Sequence, residues 1–315
     1  VGERPVGRAQ ARRKELSVEQ DDGFKSGFAG IVGRPNVGKS TLVNNLVHRK
    51  LAIISEKPQT TRNKIRCVLT RDDAQVVFVD TPGFHKPRNA LGERLNKAVR
   101  ETLQEVDAVV FMLDGTQTIG KGDLFIAGEL SRLSTPVVAV VNKIDKLTPE
   151  RVEAQTAVVR TMGEYVDVIP LSAKTGENVH ALIEKIVELL PPGPKYYPDD
   201  MVTDQPLSFV VAELIREKIL HLTREEVPHS VAVVVEEIEK REDKDLVDIE
   251  AVIYVERDSQ KGIIIGKGGR MLKEIGTRAR EEIEPLLGEQ VFLRLTVKVE
   301  KDWSKRMQAV RRMGY

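Results

Sequence analysis

From Phe28 to Val47 the chain reads Phe-Ala-Gly-Ile-Val, then Gly33-Arg34-Pro35-Asn36-Val37-Gly38-Lys39-Ser40, then Thr41-Leu-Val-Asn-Asn-Leu-Val. No other stretch limits the fold as tightly. It demands a buried strand, a glycine-bounded loop and a helix, in that order. Gly33 and Gly38 let the backbone adopt conformations that a side chain forbids, so successive N–H groups can turn inward around phosphate oxygens. Lys39 supplies a cation for outer phosphates and Ser40 a hydroxyl ligand for Mg2+. Thr41 opens a helix whose N-terminus favours anions.

The flanking sequence gives this unit a sheet to sit in. Strands are expected at Phe28–Val32, Ile65–Thr70, Gln75–Val79, Ala108–Leu113, Pro136–Val141 and Val166–Pro170. The runs 76–79, 108–113 and 137–141 are continuously apolar, as strands covered on both faces are. Helical stretches fall between, at Leu42–Val47, Leu91–Leu103, Asp123–Leu133, Pro149–Met162 and Asn178–Leu190. This alternation predicts an α/β domain over 24–190, a mostly parallel sheet with helices on both faces, whose ligands bind at strand carboxyl ends. Prolines 191, 192, 194 and 198 then make 191–206 a stiff linker. A smaller α+β domain is expected over 207–303: helix Leu207–Leu222, strands Ser230–Glu239 and Leu246–Val255, helix Met271–Leu287 and strand Val291–Val299. The basic tail 304–315 reads as helical, and 1–23 as a polar, basic, flexible extension.

Composition adds limits. A length of 315 residues suits about two domains. The formal net charge is +1, so any nucleic-acid surface must be local. The single cysteine, Cys67, excludes an internal disulfide framework, and its apolar neighbours Ile65, Val68 and Leu69 predict a buried thiol. No apolar run approaches the roughly 20 residues of a membrane span and no secretory signal is visible, which predicts a cytoplasmic protein.

Three further motifs lie at the carboxyl ends of expected strands. Asp80-Thr81-Pro82-Gly83 offers an acidic group for Mg2+ and a glycine N–H that can meet a γ-phosphate. Asn142-Lys143-Ile144-Asp145 offers a carboxylate for the paired N1–H and exocyclic amine donors of guanine, a pair that adenine lacks. Ser172-Ala173-Lys174 can close over the base from the other side. In the second domain Gly266-Lys267-Gly268-Gly269 lies between the apolar Ile263–Ile265 and a helix. A G-x-x-G there lets a nucleic-acid backbone approach closely, as in a KH domain, and Lys267, Arg270, Lys273 and Arg278 surround it with positive charge. Trp303 is expected to pack under the tail. The five scattered histidines support no structural zinc site.

The nucleotide motifs resemble those of the small G proteins. Together with the proline-rich linker, Pro58-Gln59-Thr60-Thr61-Arg62, Arg224–Pro228 and Ile263–Gly276, the chain from Phe24 onward resembles the Era family of bacterial ribosome-assembly GTPases. The resemblance implies GTP hydrolysis to GDP and phosphate with Mg2+ on Ser40, Asp80 and a switch threonine, Thr61 ahead of Thr60, within a switch of Gln59–Arg62 and Gly83–Phe84. It implies binding to the 3′ end of small-subunit ribosomal RNA, a part in assembly of that subunit, and a loose peripheral membrane contact. Phe84 stands where many G proteins place a water-orienting glutamine, so intrinsic turnover is expected to be slow. Asn36 is the position that helps hold a potassium ion in some relatives. Two other readings stay open: an RNA-binding module whose G domain is a passive nucleotide-stabilised scaffold, and an ATP-driven enzyme, which Asn142–Asp145 argues against.

Overall fold

A computed structural model describes residues 23–48, 50–52, 65–81, 90–223, 227–241 and 245–314. The switch positions Gln59, Thr60, Thr61, Arg62, Pro82, Gly83 and Phe84, like the extension 1–22, lie outside these residues.

The first half contains β1 (Lys25–Gly33), α1 (Lys39–Leu46), β2 (Ile65–Thr70), β3 (Ala74–Asp80), α2 (Ala90–Glu105), β4 (Ala108–Asp114) and α3 (Lys121–Leu130). It continues with β5 (Val137–Asn142), a short 3-10 turn (Ile144–Lys146), α4 (Pro149–Arg160), β6 (Asp167–Leu171) and α5 (Val179–Leu189). The strand order is β2-β3-β1-β4-β5-β6, with β2 antiparallel to β3 and the other pairs parallel. β1 lies between β3 and β4, so the chain leaves it toward opposite sides of the sheet. That reversal opens a crevice at the carboxyl end of β1, where the glycine-bounded loop begins. Both faces are covered, and successive strand residues feed opposite cores. Ile31, Phe78 and Val110 pack with Leu42, Leu182 and Ile186 on one side; Val32, Phe111 and Leu113 pack with Ile126 and Val159 on the other. Cys67 is fully buried in the first core, and burial pushes its thiol far above the ordinary value.

The strands expected from apolar runs stop one residue short. Asp80, Asp114 and Asn142 belong to the ladder, with Asp80 opposite Ile31 and Asp114 opposite Asn142. Hydropathy marks where side chains leave the core, whereas backbone pairing continues one residue further, and that residue presents its polar group to the crevice.

The second half contains α6 (Leu207–Leu222), α7 (Val227–Ser230), β7 (Ala232–Lys240), β8 (Leu246–Val255), α8 (Asp258–Ile265), a 3-10 turn (Lys267–Gly269), α9 (Arg270–Leu287), β9 (Gln290–Val299) and α10 (Met307–Arg312). The sheet order is β7-β8-β9, antiparallel then parallel. The parallel pair needs a crossover, which α8 and α9 provide. α8 corrects the sequence expectation of a merely apolar stretch before the turn. Ile215, Ile219, Ile249, Ile253, Ile275 and Ile283 form the core between helices and sheet. Trp303 is buried against Ala309, Val310 and Met313, and its Nε1–H donates to the Ser230 carbonyl at 2.8 Å.

Residues 191–206 run as a strap along the first sheet. The Ser26 N–H donates to the Pro191 carbonyl, and the Gly193 N–H to the Phe24 carbonyl. Buried Gln75 accepts from the N–H groups of Tyr196 and Tyr197 at 2.7 and 3.0 Å and donates to the Tyr197 carbonyl at 2.9 Å. The Val68 N–H donates to the Val202 carbonyl, and Thr203 Oγ1 to the Arg66 carbonyl. Among the described residues no helix is long and apolar enough to cross a membrane.

Candidate functional site

The phosphate loop explains its own glycines. Gly38 has φ +106°, and a Cβ there would sit 2.2 Å from Asn142 Nδ2. At Gly33 a Cβ would sit 2.4 Å from the Met112 carbonyl oxygen. Asn36 also takes a left-handed φ of +66° at the exposed tip of the loop. Val37 is buried in the core below. Beside the half-buried Pro35, Arg34 reaches sideways to Asp123 at 2.8 Å and Gln117 at 2.7 Å, tying the loop to α3.

Lys39 lies across the loop, with Nζ donating to the carbonyls of Gly33 at 3.1 Å and Arg34 at 2.9 Å. Burial lowers its pKa to about 8, against the pull of Asp80 in the other direction. Ser40 Oγ donates to Asp80 Oδ2 at 3.1 Å, so a hydroxyl and a buried carboxylate converge beside the loop. These are hard oxygen donors of the kind Mg2+ takes together with phosphate oxygens. Half-buried Thr41 follows on α1. Thr81 turns back into the sheet, its hydroxyl donating to the Ile31 carbonyl at 2.8 Å.

The loops Asn142–Asp145 and Ser172–Lys174 are assembled on the same frame. Asn142 Nδ2 donates to the Val37 carbonyl at 2.7 Å, and its Oδ1 accepts from the Ala173 N–H at 2.9 Å. One carboxamide thus joins three motifs separated along the chain. Lys143, at φ +68°, donates to the Asn36 carbonyl at 2.9 Å and to Asp114 Oδ2 at 2.6 Å. Asp145 is exposed at the rim and its Oδ1 accepts from Ser172 Oγ at 2.7 Å, which aims the carboxylate. Lys174 is exposed beside it, beyond the buried Ala173.

The second loop is built for backbone approach. Gly266, Gly268 and Gly269 have φ of +70°, +59° and +77°, and a Cβ at Gly268 or Gly269 would meet nothing within 4 Å. Lys267, Arg270, Lys273 and Arg278 are exposed around this turn, with Arg278 also bonded to Glu274 at 2.6 Å. Ile263, 47% exposed, gives α8 an apolar spot next to the glycine turn.

A family model described as a 50S ribosome-binding GTPase matches residues 28–143, and a KH-domain model matches 226–304. A crystal structure of Era in complex with MgGDPNP and nucleotides 1506–1542 of 16S ribosomal RNA is 42% identical to this chain. The match has a TM-score of 0.89 and covers 93% of this chain and 99% of that one. The chain belongs to the Era family. A structure of an Aquifex aeolicus Era variant bound to GDP and AlF4− is 41% identical, with the same TM-score and coverage. As a member of the Era family the chain is a GTPase with a KH domain.

Two groups at this Era site lie outside the motifs. Asp114, buried at the end of β4, accepts from Lys143, Thr116 and Gln117. Burial works to raise its pKa, but the bonds from Lys143 and Thr116 outweigh that and hold it below the ordinary carboxylate value. The signal that finds it is its place in line with Asp80 and Asn142, directly after an apolar strand. Asn44 on α1 has no sequence signal; it binds the backbone of Leu51 and Ala52.

Proposed function

We propose that this Era-family GTPase is a GTP-timed switch that binds the 3′ end of small-subunit ribosomal RNA in its KH groove and serves assembly of that subunit. The observation that carries the reading is a guanine-selective frame and an open Gly-Lys-Gly-Gly turn in one chain. The likeness to Era bound to MgGDPNP and 16S ribosomal RNA nucleotides supports it.

In this reading residues 24–190 bind and hydrolyse GTP, 207–303 bind RNA, and 191–206 join them. Loop N–H groups and Lys39 bind and neutralise the phosphates, where charge redistributes as the γ-phosphoryl passes to water. Ser40, Asp80 and Thr61 would hold Mg2+, which supplies electrostatic stabilisation of the β- and γ-oxygens. Asp145 accepts from the guanine edge, and Ser172–Lys174 close over the base. Lys267, Arg270, Lys273 and Arg278 contact RNA phosphates while the glycines admit the backbone.

A potassium ion at Asn36 is motivated by the exposed Asn36 and by Phe84 in the water-positioning place; equal turnover in potassium and sodium buffers would reject it. Cytoplasmic location fits the single cysteine of the chain; a peripheral membrane contact follows from the family resemblance, and absence of co-flotation with anionic vesicles would reject it. The central experiment is crosslinking to ribosomal RNA with a GTP analogue against GDP. Crosslinks at the small-subunit 3′ end, stronger with the analogue, are expected; none there would overturn the reading.

A further inference from the structure

Two helices each begin at one of the two loops. α1 starts at Lys39 in the phosphate loop, and α9 starts at Arg270, directly after Gly269. Away from those loops, α9 and the segment that follows α1 each contribute one member to a group of four charges. Lys50 Nζ lies 2.5 Å from Glu217 Oε2 on α6 and 2.7 Å from Glu282 Oε2 on α9. Lys218 Nζ lies 2.9 Å from Glu217 Oε2 and 2.5 Å from Glu282 Oε1. The charges therefore alternate around a closed ring. The side chains of Glu217 and Lys218 are 1% and 7% exposed, while Lys50 and Glu282 form its rim at 34% and 31%. Lys50 is the one member contributed by the G domain.

Lys50 is held on a defined path. Asn44 Oδ1 accepts from the N–H groups of Leu51 at 2.9 Å and Ala52 at 2.8 Å, and Nδ2 donates to the Ala52 carbonyl at 2.7 Å. One side chain of α1 thus fixes the two residues beside Lys50 to the helix that carries Lys39 and Ser40. In sequence, Ala52 leads into the stretch containing Gln59–Arg62. On the far side of that stretch Arg66 pairs with Asp204 at 2.6 Å, three residues before α6. Both ends of the switch sequence are thereby tied to α6 or to the residues that lead into it.

We propose that the Lys50–Glu217–Lys218–Glu282 ring couples the phosphate site to the KH groove, with Lys50 as its positioning residue. The inference rests on the reading of the chain as a nucleotide switch on RNA binding. Removing the Lys50 charge takes away one of the ring's two cations and leaves Lys218 as the remaining one between Glu217 and Glu282. An arrangement of this kind is either made or broken, because partly desolvated charges tolerate little intermediate geometry. Glu282 lies twelve residues beyond Arg270, roughly 18 Å along a continuous helix, so a change in how Lys50 seats Glu282 reorients the glycine turn at the other end of α9.

The test measures affinity of the full chain for an RNA oligonucleotide of small-subunit 3′-end sequence, with a GTP analogue and with GDP. The wild type is expected to show a ratio of roughly fivefold or more between the two states. Lys50→Met, which keeps length and loses charge, is expected to bring the ratio below about twofold while leaving nucleotide affinity unchanged; Glu282→Gln should do the same, and Lys50→Arg should retain coupling. An unchanged ratio in both charge-removing variants overturns this inference and leaves the switch reading standing. Equal affinities in the wild type would overturn the switch reading, and the inference with it.

Discussion

The Asn142 carboxamide donates to the Val37 carbonyl across 2.7 Å, a bond between residues 105 positions apart. It connects the glycine-bounded loop of residues 33–40 to the loop of Asn142–Asp145, and Gly38 passes so close that it has no room for a Cβ. Asn142→Ala removes this bond and the one from the Ala173 N–H. At about 1 kcal/mol each, the two amount to a loss of GDP affinity of roughly thirtyfold, measured by fluorescence titration. An unchanged affinity would mean that the loops hold their positions without the carboxamide.

Selectivity at the base is expected to follow Asp145. Asp145→Asn replaces one acceptor oxygen with an NH2 group facing the exocyclic amine of guanine. The mismatch should cost about 1–3 kcal/mol, by analogy with base readout in nucleic acids. Xanthine carries an oxygen in place of that amine, so the variant should prefer xanthosine nucleotides. Competition between GDP and XDP tests this directly, and retained guanine preference would remove Asp145 from the role.

Lys39 makes nucleotide binding a proton-linked event at mildly alkaline pH. Its pKa in the free protein is about 8, below its ordinary 10.5, because burial disfavours the ammonium. Between those values the unfolded chain binds more protons than the folded one, so the penalty is full below pH 8 and is relieved as pH rises toward 10.5. A triphosphate beside Lys39 raises its pKa again. Binding near pH 9 should therefore take up a proton, seen as a calorimetric heat that depends on the ionisation enthalpy of the buffer. Buffer-independent heats would contradict it.

Gln75 bears on stability alone. Gln75→Leu leaves the half-buried N–H groups of Tyr196 and Tyr197 and the Tyr197 carbonyl without the bonds Gln75 gives them. The expected loss is about 2–4 kcal/mol, read from urea unfolding, together with faster proteolysis between residues 194 and 204. GTP turnover in the surviving folded protein should be unchanged.

Gly268→Asp is expected to separate the two activities. The position has φ +59° and open space around it, so the added side chain strains the turn modestly and clashes with nothing. Its charge would face RNA phosphates. RNA affinity should fall at least tenfold with GDP affinity unchanged, and intact RNA binding would count against the glycine turn as the contact.

Most of the nucleotide site was legible because its chemistry sits at the ends of apolar strands. The runs 76–79, 108–113 and 137–141 announce buried strands, and a polar residue must follow where each leaves the core. Asp114 escaped because its partner, Lys143, lies on another strand end and no motif names it. α8 escaped for a different reason: Gly262 and the β-branched Ile263–Ile265 are poor helix formers. Burial of Ile264 and the bonds from the Glu256 and Arg257 N–H groups to Gln260 Oε1 override that propensity. The ring of Lys50, Glu217, Lys218 and Glu282 has no sequence signature, since Lys50 and Glu282 stand 232 positions apart.

The strap changes what kind of machine the two domains make. Prolines alone suggest two bodies joined by a rod, with freedom at both of its ends. Bonds to β1, Gln75 and β2 hold the chain to the G domain as far as Asp204, and α6 begins at Leu207. Only Gln205 and Pro206 lie between. The KH groove is thus carried on an arm with one covalent elbow, braced by the Lys50 ring and by Phe209, which packs against both cores, and proline restricts even that joint. A glycine-rich insertion after Gln205 would lengthen the elbow by a few ångströms while leaving both sites intact, turning a geared movement into a slack one.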